Sequence, residues 1–149
     1  MVLGKRLKSL MGSFTARPPA TSPWQPSRQP YPMLVGFDAS GAGLSGIAGL
    51  VAIWHLGVRP QWLKVAAVTN LALAIQSAAS TAALVSYKPN GGVYVAWAPL
   101  QPNALLSPAQ YVVAAIKPLL QALPLASERM VPADIKPTDF PLPPGTAAG

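Results

Sequence analysis

The chain has 149 residues, of which 51% are hydrophobic and only 10% are charged, and its formal net charge is +7. Soluble domains usually carry about 25% charged residues, so this composition favours membrane insertion over a large dry core. The absence of cysteine excludes disulfides, thiolate chemistry and cysteine-ligated zinc, iron–sulfur and c-type haem sites. The sequence contains no recognisable nucleic-acid-binding module. The basic charge is therefore expected to bind anionic lipid or to form part of an organellar targeting signal.

The N-terminal part of the chain is first basic and then rich in proline. Residues 1–17 lack acidic side chains and carry apolar ones at near-helical spacing. This pattern is typical of an amphipathic organellar presequence or of a helix on an anionic membrane, with a basic cytosolic tail as the alternative. Residues 18–32 are predicted to be extended, with Trp24 and Tyr31 as anchors at the lipid headgroups. A polyproline ligand for an aromatic groove is a second interpretation of this segment, and docking along a neighbouring subunit is favoured over it.

Residues 33–88 contain two long stretches without formal charge, 39–58 and 65–87. Each stretch would cover about 30–35 Å as a helix, which is the thickness of a bilayer core. A glycine and Pro60 between them are typical of a turn. The sequence therefore predicts an all-α membrane protein. Its elements are a two-span transmembrane helical hairpin, a short amphipathic interfacial helix, and extended Pro-rich N- and C-terminal segments.

Small and polar side chains are predicted to pack the two spans against each other. In lipid, small residues let helix backbones approach closely, and hydroxyl or amide groups hydrogen-bond between helices. The alternative is that small residues are simply frequent in an alanine-rich chain. The predicted helix-packing residues are Ala39, Gly43, Gly46 and Gly49 in the first span, and Asn70, Ala74, Ser77, Ala78 and Thr81 in the second.

The C-terminal part of the chain is predicted to lie outside the spans. Residues 89–106 form a turn and loop, in which residues 93–98 are either a short strand or an aromatic interfacial patch. Residues 107–124 form an amphipathic helix on the membrane surface or against a partner, with a kinked third span as the alternative. Residues 125–149 form a Pro-rich extended tail.

Three features of the sequence are candidates for a chemical role. His55 is the only histidine, and an interfacial hydrogen-bonding role is favoured for it, with a ligand of haem iron or chlorophyll magnesium as the alternative. Asp38 is expected to cap the start of the first span. Residues 41–46 match G-x-G-x-x-G, but without a preceding strand the match does not indicate a dinucleotide site. No catalytic motif is present, so the sequence predicts a protein that is not an enzyme and holds neither metal nor cofactor.

The predicted function is that of a non-catalytic accessory, structural or assembly subunit of a large energy-transducing membrane complex. A mitochondrial respiratory complex or ATP synthase is the favoured host, which places the chain in the mitochondrial inner membrane with both termini on the matrix side. Its predicted partners are other subunits and anionic lipids such as cardiolipin, contacted by Arg59, Lys64 and Lys88, and not nucleic acid or a small-molecule substrate. The alternatives are a pigment- or haem-binding subunit of a photosynthetic or thylakoid membrane that uses His55, and a translocase or carrier-type hairpin.

Overall fold

The computed structural model describes Trp24 and residues 31–56, 61–87 and 92–143. In these residues a four-stranded antiparallel sheet carries helices on both of its faces, and the strand order is β3-β1-β2-β4. The strands are β1 (Gly49–His55), β2 (Gln61–Val68), β3 (Val93–Pro99) and β4 (Glu128–Arg129). The helices are α1 (Leu71–Ala79), α2 (Ala82–Val85) and α3 (Leu106–Ile116), and a 3-10 turn spans Pro102–Ala104.

The prediction of an all-α membrane protein with a two-span hairpin is wrong. The longest helix within the described ranges, α3, has 11 residues, and none of the helices there has the length and apolar character that crossing a bilayer requires. The first uncharged stretch instead forms a loop followed by β1, and the second forms the last half of β2 followed by α1 and α2. The same finding contradicts the placement of the chain as an integral protein of the mitochondrial inner membrane or the thylakoid.

The misreading has a physical cause in the two central strands. Every residue of β1 is buried, and so is every residue of β2 except the first. Strands covered on both faces give nearly continuous apolar runs, because neither face needs polar side chains. Hydropathy alone cannot distinguish such a strand from part of an apolar helix.

Two apolar layers hold the helices to the sheet. We call them the α1-side core and the α3-side core, after the helix that covers each face. Alternation along the strands assigns the side chains, since neighbouring residues of a strand point to opposite faces. The α1-side core includes Val51, Ile53, Val68, Val93 and Val95 beneath Leu71, Ile75, Ala78 and Leu84. The α3-side core includes Leu50, Ala52, Trp54, Trp62, Val65 and Ala96 beneath Leu105, Ala109 and Val112.

The residues predicted to pack two spans occupy several different places. Ala39, Gly43 and Gly46 lie in the loop before β1, and Gly49 is the first residue of that strand. On α1, Ala74 and Ala78 are buried against the sheet and Ser77 is half-buried. Asn70 and Thr81 are the N-cap residues of α1 and α2, and the Asn70 side chain accepts a hydrogen bond from the Leu73 amide at 3.3 Å. The small and polar residues of the predicted second span therefore pack against the sheet or cap the two helices, and within the described residues they do not contact a second helical span.

Gly49 lies close against the β3 backbone at Ala98 and Pro99. A Cβ atom at this position would lie 2.9 Å from Pro99 Cα and would collide with the Ala98 carbonyl oxygen, and both are backbone atoms. We expect Gly49→Ala to lower the free energy of unfolding by about 2–3 kcal/mol, because the two strands must separate locally. Urea denaturation measures the loss. Gly46→Asn is the control: the space beside Gly46 is open, and asparagine tolerates its φ of 74°, so equal losses would contradict this explanation.

Candidate functional site

A β-bulge in β2 brings a lysine into the interior. Ile53 pairs with Lys64 and Trp54 pairs with Trp62, so Leu63 has no partner on β1. Residues paired across antiparallel strands project to the same face, which places Lys64 on the face of the α1-side core together with Ile53. The Lys64 side chain is only 1% exposed. A lysine at this depth requires a counter-charge and hydrogen-bond acceptors.

The structure supplies both from the segment that follows α3. The Lys64 ammonium donates to Glu128 Oε2 at 2.8 Å and to the Gln121 carbonyl oxygen at 2.6 Å. The other carboxylate oxygen, Glu128 Oε1, accepts a hydrogen bond from the Leu125 amide at 2.9 Å. Lys64, which is buried, and Glu128, whose side chain is 21% exposed, therefore form a hydrogen-bonded ion pair that holds the 121–128 segment against β2.

Gln121 also continues the sheet past the short strand β4. Its side-chain Oε1 accepts from the Val65 amide at 3.1 Å, and its Nε2 donates to the Val65 carbonyl at 2.6 Å. The amides of Leu119 and Leu120 donate to the carbonyls of Trp62 and Leu63 at 2.9 and 2.7 Å. These contacts occupy the outer edge of β2, which would otherwise present backbone groups to another chain.

A cleft of about 450 Å³ opens beside the ion pair, between α3 and the 121–131 segment. Its polar lining residues are Lys64, Gln110, Gln121, Glu128 and Arg129. Its apolar lining residues include Ala67, Ala109, Val113, Pro124, Leu125, Met130 and Val131. Met130 is exposed at this cleft, so an apolar side chain is available at its edge. The volume lies in the range of clefts that hold small organic molecules.

A second feature lies at the end of β1. His55 is 4% exposed, its Nε2 lies 3.1 Å from Gln61 Oε1, and its ring stacks on Tyr87 with centroids 4.9 Å apart. The Gln61 contact assigns the proton to Nε2 and leaves a lone pair on Nδ1. Nδ1 is buried and is the one side-chain nitrogen or oxygen in the described part of the chain that is buried without a hydrogen-bond partner. In this structure the ring is enclosed, so a ligand could reach Nδ1 only after the surrounding chain moves.

The unpartnered Nδ1 gives His55→Phe a definite expected effect. Phenylalanine keeps an aromatic ring beside Tyr87 and removes a buried acceptor whose desolvation costs about 1–3 kcal/mol. The Gln61 side chain that loses its partner is exposed and becomes hydrated. We therefore expect the free energy of unfolding to rise by about 1 kcal/mol in urea titrations. A loss of similar size would mean that Nδ1 is satisfied by a bound water or ligand.

The loop before β1 occupies the backbone amides at the start of α1, so these amides are not available to a phosphate. The Leu44 and Ile47 carbonyls accept hydrogen bonds from the amides of Ala72 and Leu71 at 3.3 and 2.8 Å, so these donors are occupied. The G-x-G-x-x-G match at residues 41–46 lies in this loop before β1, and not within a helix. Asp38 caps a turn here, because its Oδ1 accepts from the Gly41 amide at 2.9 Å.

The remaining predicted site residues divide into two groups. Arg59 and Lys88 lie outside the described residues, so their contact with anionic lipid stays a prediction. Lys64 is committed to Glu128. No group of three or more histidine, cysteine or carboxylate side chains gathers in the described ranges. No protein-family model, no curated protein and no solved structure matches this chain.

Sequence analysis missed Glu128 and Gln121 as the partners of Lys64. A signal was present, because Lys64 is flanked by apolar residues in the sequence and the chain has only four acidic residues. A buried cation is almost always paired, so one of these four acids had to approach it. Sequence spacing could not select which one, since 64 positions separate Lys64 from Glu128.

Proposed function

We propose that this protein is a non-catalytic accessory subunit of a larger protein assembly. The host suggested by the sequence, an energy-transducing membrane complex, depended on two membrane spans and is not part of the proposal. The role without catalysis is supported by the use of the buried ionisable groups. Lys64 is held by Glu128 and Gln121, and His55 is enclosed between Gln61 and Tyr87.

The observation that carries the proposal is an apolar corner at one edge of the sheet. It consists of Met33, Val35 and Leu56, which are 45%, 42% and 36% exposed. Gly92 connects Leu56 and Met33: its carbonyl accepts from the Leu56 amide at 3.3 Å, and Met33 Cε lies 3.0 Å from where a Gly92 Cβ would be. Val35 follows Met33 by two positions in the chain. Adjacent exposed apolar side chains are typical of protein-binding surfaces, whereas isolated ones are not.

The backbone at this corner also favours a protein partner. The Leu34 amide donates to the Val93 carbonyl at 2.8 Å, and the Val95 amide donates to the Pro32 carbonyl at 3.1 Å. Met33, which lies between them, pairs with Tyr94, so its own amide and carbonyl point away from β3. An extended segment of a partner, with apolar side chains at alternate positions, would add to the sheet here.

The test compares two lysine substitutions at similarly exposed leucine or valine side chains. Val35→Lys places a charge in the apolar corner, where burying it against a partner is unfavourable. Leu73→Lys is the matched control, because Leu73 is 49% exposed but lies in the first turn of α1. Native gels of the extracted chain measure migration, and urea denaturation confirms that both variants remain folded.

The expected result is that the wild-type chain and Leu73→Lys migrate in a large complex, while Val35→Lys is lost from that complex. Co-migrating subunits that cross-link to a photoreactive residue at position 35 would identify the contact. Migration of the wild-type chain as a small species would contradict the accessory role. Retention of Val35→Lys in the complex would show that the assembly uses another surface.

A second candidate function, cofactor binding through His55, is favoured by the unpartnered Nδ1 atom. An imidazole lone pair of this kind binds metal ions and accepts hydrogen bonds. An absorbance spectrum of the same native band tests it. A chromophore that disappears in His55→Phe would support this function, and a band without a chromophore would argue against it.

A further inference from the structure

We propose that the cleft between α3 and the 121–131 segment binds a small apolar monocarboxylate. This ligand class differs from the sequence-based prediction, which contained no small-molecule partner. The inference does not depend on the accessory role, because binding is measured on the isolated chain. It is carried by the shape of the cleft, by its charge and by two polar side chains that have no other use in the described residues.

The charge of the cleft favours a single negative group. Lys64 and Glu128 neutralise each other through their 2.8 Å contact, so Glu128 does not repel an incoming anion. Arg129 lines the same cleft, and its side chain has no ion-pair or hydrogen-bond partner within the described ranges. The three charged lining residues therefore leave one net positive charge. A guanidinium matches a carboxylate in geometry, because both are planar and can form two parallel hydrogen bonds.

Gln110 supplies a second polar group on the opposite wall. It lies on α3, is half-buried and lines the cleft, and its side-chain amide has no hydrogen-bond partner in the part of the chain that is described. Its amide nitrogen is a donor for a carboxylate oxygen. By contrast, the Gln121 amide is fully used on the Val65 backbone. Arg129 and Gln110 thus form the polar end of the proposed site.

The rest of the lining is apolar and selects the body of the ligand. Val113, Pro124 and Leu125 contribute aliphatic surface, and Met130 lies exposed beside them. Methionine adapts to ligands of irregular shape because its side chain is unbranched and flexible. A cleft of about 450 Å³ accommodates a short alkyl or aromatic group, and binding would bury apolar surface that is now hydrated. The ligand is therefore an amphiphile with one carboxylate.

Octanoate is the probe, and 1-octanol and octylamine are its uncharged and cationic counterparts. Calorimetry gives the affinities, and amide chemical shifts from NMR give the location. We expect saturable octanoate binding with shifts at Ala109, Val113 and Met130, and weaker binding of octanol and octylamine. Equal affinity for octanoate and octanol would overturn the recognition of the carboxylate. Absence of saturable binding at millimolar concentrations, or shifts spread over both faces of the sheet, would overturn the site.

Two variants separate the polar end from the apolar body. Arg129→Gln is expected to weaken octanoate binding by about tenfold or more while leaving octanol unchanged, because it removes charged hydrogen bonds only. Lys136→Gln is the matched control, because it removes an exposed cation that does not line this cleft. Val113→Trp, on the half-buried side of α3, fills the cleft and should abolish binding of every probe. Unchanged octanoate affinity in Arg129→Gln, or binding retained in a folded Val113→Trp, would refute the proposal.

Discussion

Glu128→Ala is expected to lower the free energy of unfolding by about 3–5 kcal/mol. The substitution leaves the Lys64 ammonium buried at 1% exposure without its counter-charge, and stranded buried charges are destabilising by about this amount. It also removes the acceptor of the Leu125 amide. Urea denaturation followed by tryptophan fluorescence measures the loss, since Trp54 and Trp62 report on the sheet.

The double variant Lys64→Met with Glu128→Ala distinguishes an ion-pair effect from a packing effect. Methionine replaces the lysine stem in the apolar surroundings and removes the charge, so no stranded ion remains. Replacing both members of a buried pair is often nearly neutral. We expect the double variant to lose less than half of what Glu128→Ala loses. If the two variants were equally unstable, the damage would come from the lost contacts of the 121–128 segment, and not from the unpaired charge.

Trp24→Ala is expected to lose a comparable 3–5 kcal/mol, which is typical of truncating a buried aromatic side chain. Trp24 is 1% exposed and belongs to the α3-side core. Its indole nitrogen donates to the Pro141 carbonyl at 2.8 Å, and its ring meets Phe140 edge-on at a centroid distance of 6.1 Å. Thermal unfolding followed by far-ultraviolet circular dichroism is the appropriate measurement, because the substitution itself changes the fluorescence.

Trp24→Phe is the control for the hydrogen bond. Phenylalanine retains most of the buried apolar surface but cannot donate a hydrogen bond to the Pro141 carbonyl. Because Pro141 is exposed, its carbonyl can bind water instead. We expect a loss of about 1–2 kcal/mol, smaller than that of alanine. A loss below about 0.5 kcal/mol for Trp24→Ala, the range of an ordinary surface substitution, would show that Trp24 does not contribute to the core in solution.

The position of Trp24 differs from the sequence-based interpretation in an informative way. The proline-rich composition around it indicates extended chain, and an aromatic residue in such chain suggested a lipid anchor. The structure places the side chain in an apolar environment made by the protein itself. Composition can identify a side chain that seeks apolar surroundings, but it cannot identify which surroundings are near, because that depends on Phe140 and Pro141 at the far end of the sequence.

The fold was predictable only where the local pattern was strong. Of the two interpretations of residues 93–98, the strand is confirmed by β3. A helix was expected from residue 107 and occurs as α3, but it ends at Ile116, where Lys117 adopts φ 47° before Pro118, rather than at residue 124. Both are short segments with a clear boundary. Proline and left-handed backbone end a helix for reasons that the sequence contains.

The two uncharged stretches were misread because their boundary signals were outweighed by hydropathy. Asn70, the N-cap of α1, lies within the predicted second span, and an asparagine before an apolar run is a helix-start signal. If this helix-start signal had been preferred to hydropathy, the stretch would have been divided into a strand and a helix. The five residues between β1 and β2 also suit a β-hairpin as well as a turn between helices.

The candidate sites were predictable as residues but not as constellations. His55 and Lys64 both stood out, since each is the only ionisable side chain in its part of an apolar run. Their partners Tyr87, Gln121 and Glu128 follow from the sheet order and the bulge, which local patterns do not encode. Arg129 and Gln110 had no signal at all, because a surface arginine and glutamine are ordinary in any sequence.

The contact between Trp24 and Pro141 has a consequence for the order of events during synthesis. The two residues are 117 positions apart, so at about 5–20 residues per second Trp24 leaves the ribosome roughly 6–23 s before its partner. For part of this interval Trp54 and Trp62 of β1 and β2 also lack α3, which is synthesised after them. The nascent chain therefore displays tryptophan-rich apolar surface until its last third is made. We expect this interval, rather than the finished protein, to be the period when the chain depends on chaperones.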